Sequence, residues 1–358
     1  MKISERIQVA QFGLGPIGIL SLKLLAQKKW VKVVGGIDIR PEWIGKSLSE
    51  ITGEPDSFGD AIVYGSFEEL LNATGVDAVV HTVTSKADQA FAQIRPMMEH
   101  GIAVISSCEE LIFPSLREPK MTREIDDLCQ TTGGRLLGCG FNPSYVFDIL
   151  PICLSGVCST VKGIYCERVV DASTRRGPLH KKLGCGLEPD DFRTLAAQGK
   201  AGHAGLQESL ALIANSLGWK IGTIIESIDP VIADRDIQSN LITVNRGQTA
   251  GLQQTVKAET NEGYWIHFDL VSYLNSDDNH NLVQLNSSPQ IEAIVFEGIA
   301  GDIATGAALV NTIPSALRAK PGVRLLTDIG TPYWHNILGT NPAIASKTTQ
   351  ETVKSIQN

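Results

Sequence analysis

Several features are missing from this 358-residue sequence, and each absence narrows what the chain can do. No run approaches the roughly 18 uninterrupted apolar residues that a membrane-spanning helix needs, so no membrane role is expected. Positive charge is scarce: 31 Lys and Arg stand against 39 Asp and Glu, a net charge of −8. A protein that grips phosphate backbones carries a basic surplus, so nucleic acid is not an expected partner. The seven cysteines, at 108, 129, 139, 153, 158, 166 and 185, include no Cys-x-x-Cys pair, and no histidine stands beside them at metal-ligand spacing. No metal site is expected, and an odd cysteine count fits reduced thiols in a cytoplasm. The first residues lead into a strand-like stretch without the apolar core of a secretion signal, which again predicts a cytoplasmic location.

What is present is ordinary globular protein, with 43 % hydrophobic and 20 % charged residues. The length exceeds one typical core, so two domains are expected. From Arg6 to Phe141, β-rich runs alternate with helical stretches, the pattern of a parallel sheet covered by helices. Strands are predicted at Ile7–Phe12, Val31–Asp38, Ala61–Tyr64, Asp77–Val83, Ala103–Ser107 and Arg135–Gly140. Helices are predicted at Ile17–Gln27, from Ser66 with Glu69 as a capping box, and at Ala87–Glu99. The fold class is thus α/β: an N-terminal doubly wound parallel sheet over residues 1–143, then a second α+β domain over 144–298 on a largely antiparallel sheet. A helix over Ser144–Leu154, with Pro143 in its first turn, opens the second domain. Longer strands follow at Val161–Val170, Thr223–Ala233, Ile242–Gln248 and Tyr264–Tyr273, with helices near Asp190–Gln198 and Gly205–Leu217. Residues 299–346, including a small-residue helix from Gly301 to Ile313, are expected to return to the first domain, and 347–358 form a polar tail.

Gly13-Leu14-Gly15-Pro16-Ile17-Gly18 sits directly after the first strand and opens the first helix. There Gly-x-Gly-x-x-Gly has a mechanical meaning: a tight turn, a close approach of backbone to diphosphate, and tight helix–strand packing. The helix N-terminus adds free N–H donors and partial positive charge. Asp38 ends the second strand, where a carboxylate accepts hydrogen bonds from the adenine ribose. These features predict a Rossmann site for NAD or NADP. Asp38 disfavours a 2′-phosphate, whereas Arg40 is either a partner for one or a solvated surface arginine, so both cofactors stay open.

In such sheets the ligand lies beyond the carboxyl ends of the strands. Thr84, Ser85, Cys108, Glu109, Glu110, Phe141 and Asn142 are the residues just past strands four, five and six, and Thr84, Ser85 and Asn142 are candidates for the cofactor. Glu109 at that edge is placed to act as general base or to hold a cationic substrate; the bland alternative is a first-turn acid on the next helix.

These residues resemble the 2,4-diaminopentanoate dehydrogenase family and the native amine dehydrogenases related to it. The likeness covers the glycine motif, Val104 through Pro114, Gly140-Phe141-Asn142-Pro143, the Asp171–Leu179 block and the Gly202-His203-Ala204-Gly205 turn. The resemblance implies NAD(P)-dependent oxidative deamination of a primary amine, or the reverse reductive amination of a ketone or aldehyde with ammonia, by a homodimer joined through the second-domain sheet. It also implies that Glu109, rather than the adjacent Glu110, is the catalytic glutamate, and that Arg168 and His203 line the substrate pocket. One carboxylate there can bind ammonium and then accept its proton.

Other readings of single residues stay open. Arg168 either meets a substrate carboxylate or pairs with Glu167 or Asp171. His203 either donates to substrate or caps a helix beginning near Gly205. The basic run Arg175, Arg176, His180, Lys181 and Lys182 screens cofactor phosphates or is a solvated loop. His267 and Thr305 are pocket wall, core or cap. His180 and Cys185 depart from the diaminopentanoate enzymes and leave the substrate open between a diamino acid and a simple ketone, the latter needing an apolar pocket such as Phe141, Tyr145 and Tyr165 can supply. Two competing functions remain. A sugar or hydroxyacid oxidoreductase commonly carries Glu-Lys-Pro after strand five, where this chain has Glu109-Glu110-Leu111 and no lysine acid. A non-catalytic cofactor sensor is disfavoured by the lack of a DNA-binding helix pair.

Overall fold

The computed structural model describes residues 6–173, 177–238, 242–330 and 333–334. Arg175, Arg176 and the predicted polar tail lie outside them. Six short strands, β1 (Ile7–Phe12), β2 (Val31–Ile37), β3 (Val63–Tyr64), β4 (Ala78–His81), β5 (Ala103–Ser106) and β6 (Arg135–Gly138), pair in parallel. Strands buried on both faces read as near-continuous apolar runs, and β4 and β5 are buried at every position. Between the strands run α1 (Pro16–Ala26), α2 (Leu48–Thr52), α3 (Phe67–Ala73), α4 (Ala87–Glu99) and α5 (Pro119–Thr132). The order β6-β5-β4-β1-β2-β3 reverses at β1, and that reversal opens a crevice at the carboxyl edge of the sheet.

Local chemistry sets the helix ends. Ser66 Oγ accepts from the Glu69 amide at 3.1 Å, while Glu69 Oε2 accepts from Gly65 at 2.9 Å. The predicted capping box therefore forms, with its return bond one residue before the cap. Pro119 starts α5 and left-handed Gly133 ends it.

The helix predicted from Ser144 begins later. Asn142–Pro143 is a cis peptide, and α6 (Ile149–Ser155) starts at Asp148, whose side chain accepts from the Ile149 amide at 2.5 Å. Then come β7 (Thr160–Asp171), α7 (Gly177–Lys182), α8 (Pro189–Ala197) and α9 (Leu206–Leu217). The remaining strands are β8 (Ile225–Ile232), β9 (Ile237–Gln238), β10 (Thr243–Val244), β11 (Thr249–Glu259), β12 (Trp265–Tyr273), β13 (His280–Ser288) and β14 (Ile291–Phe296). A six-stranded sheet of order β14-β13-β7-β12-β11-β8 results, antiparallel except for the parallel pair β7–β12. The strand predicted over Ile242–Gln248 is instead the two-residue β10, paired with β9 outside that sheet. Helices α6 and α9 cover one face of the large sheet, where the Phe147 and Phe268 rings meet at 5.1 Å.

The chain then returns to its first half, as expected. Helix α10 (Gly301–Arg318) buries Leu309, Val310, Ile313 and Ala316 completely, and Gly306 lies against Leu20 and Leu24 of α1. Full burial is worth about 1.5–3 kcal/mol for each large aliphatic side chain. The helix is followed by β15 (Gly322–Arg324), an unpredicted seventh strand beside β6. Glu208 on α9, fully buried, accepts from Arg117 Nε at 2.7 Å and ties the second layer to the loop after β5.

Candidate functional site

The glycine turn fits a diphosphate. A Cβ on Gly18 would stand 1.9 Å from the Gly13 carbonyl oxygen, and Gly13 has φ +87°, so neither position accepts a larger residue. A Cβ on Gly15 would meet nothing within 4 Å: here the backbone faces open space at the start of α1, with Pro16 at the first helical position. Asp38 is buried and engaged. It accepts from the Leu14 amide at 2.8 Å and from Arg40 Nε and Nη2 at 2.8 and 2.7 Å. Burial opposes its charge, yet the Arg40 fork and two amides hold its carboxyl below the usual range. Arg40 is at the surface, its side chain 37 % exposed, but it is not unengaged: it is forked on Asp38 and stacked over Trp43 at 3.2 Å.

Strand β4 ends two residues earlier than predicted, which places Thr82 and Val83 against Gly13. Thr82 Oγ1 lies 3.0 Å from the Gly13 carbonyl. Thr84 Oγ1 instead donates to Gln89 at 2.7 Å, and Ser85 follows it toward α4. Thr82 and Val83 escape the sequence because their position depends on where the strand stops.

The two adjacent glutamates have separate fates. Glu110 is buried, accepts from Lys86 Nζ at 2.7 Å and caps α4 by accepting from the Ala87 amide at 2.9 Å. Glu109 is itself the first-turn acid of a short 3-10 helix, Glu109–Ile112, as its bland reading expected, and its side chain is also turned to a cavity. Glu109 lines a cavity of about 280 Å³ between the two sheets. Gly205, with φ +96°, lies against it: a Cβ there would stand 2.9 Å from Glu109 Cβ and 2.4 Å from Pro143 Cγ. Cys108 just before it is fully buried, and its thiol is pushed up to about 12 by burial first and the Glu109 charge second.

The cavity gathers Ile17 of the glycine turn, Glu109, Phe141, Asn142, Arg168, His203 and Thr305. Asn142 Oδ1 is buried with no hydrogen-bond partner. Arg168 is buried beneath Phe141, its guanidinium 4.8 Å from the ring, and donates to Asn281 Oδ1 and to the Ile299 carbonyl at 3.1 Å. Glu167 faces His280 at 3.3 Å, and Asp171 accepts from the Ser173 and Asn275 amides.

Tyr145 and Tyr165, expected in an apolar pocket with Phe141, do not line this cavity, and neither does His267, whose place was left open. Alternate residues of a strand face opposite sides, so Arg168 and Tyr165 cannot share a pocket. Tyr165 Oη donates to Asp269 at 3.0 Å, and His267 stands edge-on to Tyr165 and 3.3 Å from Asp269, both on the face away from α9. Tyr145 stacks on Phe141 at 6.2 Å and lines an adjoining cavity that Phe141 also borders.

Ser107, Lys182 and Asp302 also line the Glu109 cavity without having been predicted there. Ser107 was legible as the residue ending strand five. Lys182 shows that a lysine does reach the site, from α7 rather than from the segment after β5. His180 closes the same loop, its Nε2–H donating to the Ala172 carbonyl at 2.8 Å. None of the seven cysteines is in a disulfide, and the described residues contain no cluster of metal ligands and no helix long and apolar enough to cross a membrane.

Comparison with known proteins follows the same division. A family model described as the 2,4-diaminopentanoate dehydrogenase C-terminal domain matches residues 145–346. The chain is 30 % identical over 338 residues to 2,4-diaminopentanoate dehydrogenase of Acetoanaerobium sticklandii, covering 92 % of this chain and 94 % of that protein. It is 24 % identical over 263 residues to an amine dehydrogenase of Streptomyces virginiae, covering 71 % and 70 % respectively. The structure of an amine dehydrogenase from Mycobacterium smegmatis shares the fold, with a TM-score of 0.81 at 20 % identity over 94 % of this chain and 99 % of that one.

Proposed function

The chain belongs to the 2,4-diaminopentanoate dehydrogenase family, and from that premise we propose that it is an NAD(P)-dependent amine dehydrogenase that joins ammonia to a ketone or aldehyde, or runs the reverse deamination. The observation that carries this reading is the division of labour between Glu110, spent on capping α4, and Glu109, left facing the cavity where the two sheets meet.

The open backbone at Gly15 and the unpaired Asn142 Oδ1 fit a nicotinamide dinucleotide, with Gly13–Gly18 and the N-terminus of α1 holding its diphosphate and Asn142 its carboxamide. The bound cofactor supplies the hydride. The side chains supply position and charge. Glu109, as an anion, attracts ammonium into the cavity and takes one proton from it, freeing the ammonia lone pair to attack the carbonyl carbon; it then returns that proton to the carbonyl oxygen, which leaves as water and gives the protonated imine that accepts the hydride. Phe141 and Leu270 give the carbon skeleton an apolar wall, and Arg168 sets the charge beneath Phe141. At the ribose end, Asp38 disfavours a 2′-phosphate while its forked partner Arg40 can meet one, so either cofactor is accommodated.

The reading extends to assembly and location. Phe296 is 79 % exposed and Ile225 55 % exposed on the edge strands of the second sheet, and Tyr165 and Trp265 lie on the face away from α6 and α9, which no helix covers among the described residues. Exposed apolar area of this kind suits a homodimer joined sheet to sheet. Free thiols suit the cytoplasm.

The test follows loss of reduced-cofactor absorbance with a panel of ketones and aldehydes, with and without ammonium. Consumption that requires ammonium is expected. Consumption at the same rate without ammonium would make the chain a carbonyl reductase, with Lys182 as the candidate acid, and no turnover on any compound would favour the sensor.

A further inference from the structure

His203 lies in the turn before α9, and the structure fixes its ring chemistry. Nδ1 stands 2.8 Å from the Ala204 carbonyl oxygen. A carbonyl only accepts, so Nδ1 carries a proton. The backbone is clamped as well: the His203 amide donates to Gln254 Oε1 at 2.7 Å, and Gln254 Nε2 donates to the His203 carbonyl at 3.0 Å and to Glu226 at 2.8 Å. Burial lowers the affinity of the ring for a second proton, with Lys182 and Arg168 adding to that effect and Glu109 and the Ala204 carbonyl opposing it. A neutral ring protonated at Nδ1 presents a bare lone pair at Nε2. Among the described residues Nε2 has no hydrogen-bond partner, and the ring lines the same cavity as Glu109 and Thr305. The donor role predicted for His203 is therefore reversed: toward a ligand, this ring accepts.

We propose that His203 Nε2 is a second hydrogen-bond acceptor for the substrate nitrogen, beside Glu109, and that the pair makes the site selective for ammonia over N-alkyl and oxygen analogues. The proposal rests on the amine dehydrogenase reading above. The protonated imine made from ammonia carries two N–H groups, one for each acceptor. The one made from methylamine carries a single N–H, and a ketone oxygen carries none. In either case at least one of the two acceptors is left unpaired, which costs about ten- to a hundredfold in rate.

The experiment compares ammonium chloride with methylammonium chloride as nitrogen donors for one ketone, in the wild type, His203→Phe and His203→Gln. Phenylalanine keeps a ring of similar size and opens no room for the extra methyl group. The wild type is expected to favour ammonium by about ten- to a hundredfold in kcat/KM. In His203→Phe that preference should shrink to about threefold or less through loss of the ammonium rate, with NAD(P)H affinity unchanged. His203→Gln, whose Oε1 can accept, should recover part of it. A folded His203→Phe with an undiminished preference overturns the proposal. Should that variant fail to fold, nitrogen-15 spectra of the wild-type holoenzyme with ring-labelled histidine decide instead: an unprotonated Nε2 that shifts on adding ammonium is expected, and a protonated Nε2 overturns it. A wild type that aminates nothing would sink the amine dehydrogenase reading itself, a result distinct from an aminating enzyme whose donor preference ignores His203.

Discussion

The glycine turn and the cavity meet at one edge of one sheet, yet the chain builds them in opposite ways. Gly13 to Gly18, Asp38 and Arg40 come from a single strand–helix–strand unit and its end, and Asp38 finds both its partners, Leu14 and Arg40, inside that stretch. The cavity draws Glu109, Phe141, Arg168, Lys182, His203 and Thr305 from six separate stretches of both halves. A local site depends on spacing. An assembled site depends on everything that holds the stretches together, so the two should respond differently to substitution.

The largest separation is expected within one dipeptide. Glu109→Gln should lower ammonium-dependent turnover by roughly a hundred- to ten-thousandfold while leaving NAD(P)H binding within about twofold. Glu110→Gln should leave turnover nearly intact and instead lower the melting temperature, because it weakens the cap on α4 and the pair with Lys86. Steady-state kinetics and thermal unfolding of the two variants check this, and matching losses of turnover would erase the distinction drawn between them.

Gly205→Ala should come next. A Cβ at φ +96° pressed on Pro143 and Glu109 displaces the proposed catalytic carboxylate without touching the glycine turn. Turnover is expected to fall about ten- to a hundredfold, with cofactor affinity preserved, as titrated by cofactor fluorescence. A parallel loss of affinity would mean that the two sites are not separable.

The cavity half also carries a pH signature. Asp148 Oδ2 accepts from the Ser144 amide at 2.8 Å and from Ser209 Oγ at 2.6 Å, joining the Phe141–Ser144 turn to α9. Burial pushes its carboxyl up to about 6 from 3.8, against those hydrogen bonds. The folded chain therefore keeps a proton that the unfolded chain releases, and this group's contribution to stability falls as pH rises through that window. Asp38 has the opposite sign: its lowered carboxyl favours folding above the ordinary aspartate range, and that contribution is lost on acidification. Asp148→Asn should cost about 1–3 kcal/mol, through its mismatch with the Ile149 amide, and remove the falling component. Urea unfolding of both proteins between acid and neutral pH shows it; identical pH slopes would contradict the assignment.

The smallest effect belongs to the local site. Asp38→Ala frees Arg40, so the KM for NADH should rise about three- to tenfold relative to that for NADPH. Equal changes in both would mean that Asp38 does not meet the ribose.

The same contrast explains what was legible in the sequence. The glycine turn, Asp38 and the parallel sheet were readable because period and spacing are local properties. Helix α5 was not, since only Ile125 and Cys129 of its fourteen residues are buried and the apolar stripe is too thin to stand out. Strands β11 and β13 hid behind glutamine and asparagine, although Gln254 and Asn281 are buried because they serve His203 and Arg168. Strand parity, available from the sequence, already separated Tyr165 from Arg168. Lys182 was seen only as part of a basic run, because its approach to the cavity depends on how α7 folds back after β7.

The most direct measurement is a crystal structure with NAD(P)+ and a product amine bound. The amine nitrogen should lie within hydrogen-bond reach of the Glu109 carboxylate, about 3 Å, with the Glu110 carboxylate still on the Ala87 amide. An amine held elsewhere, with Glu109 turned to bulk solvent, would contradict the account.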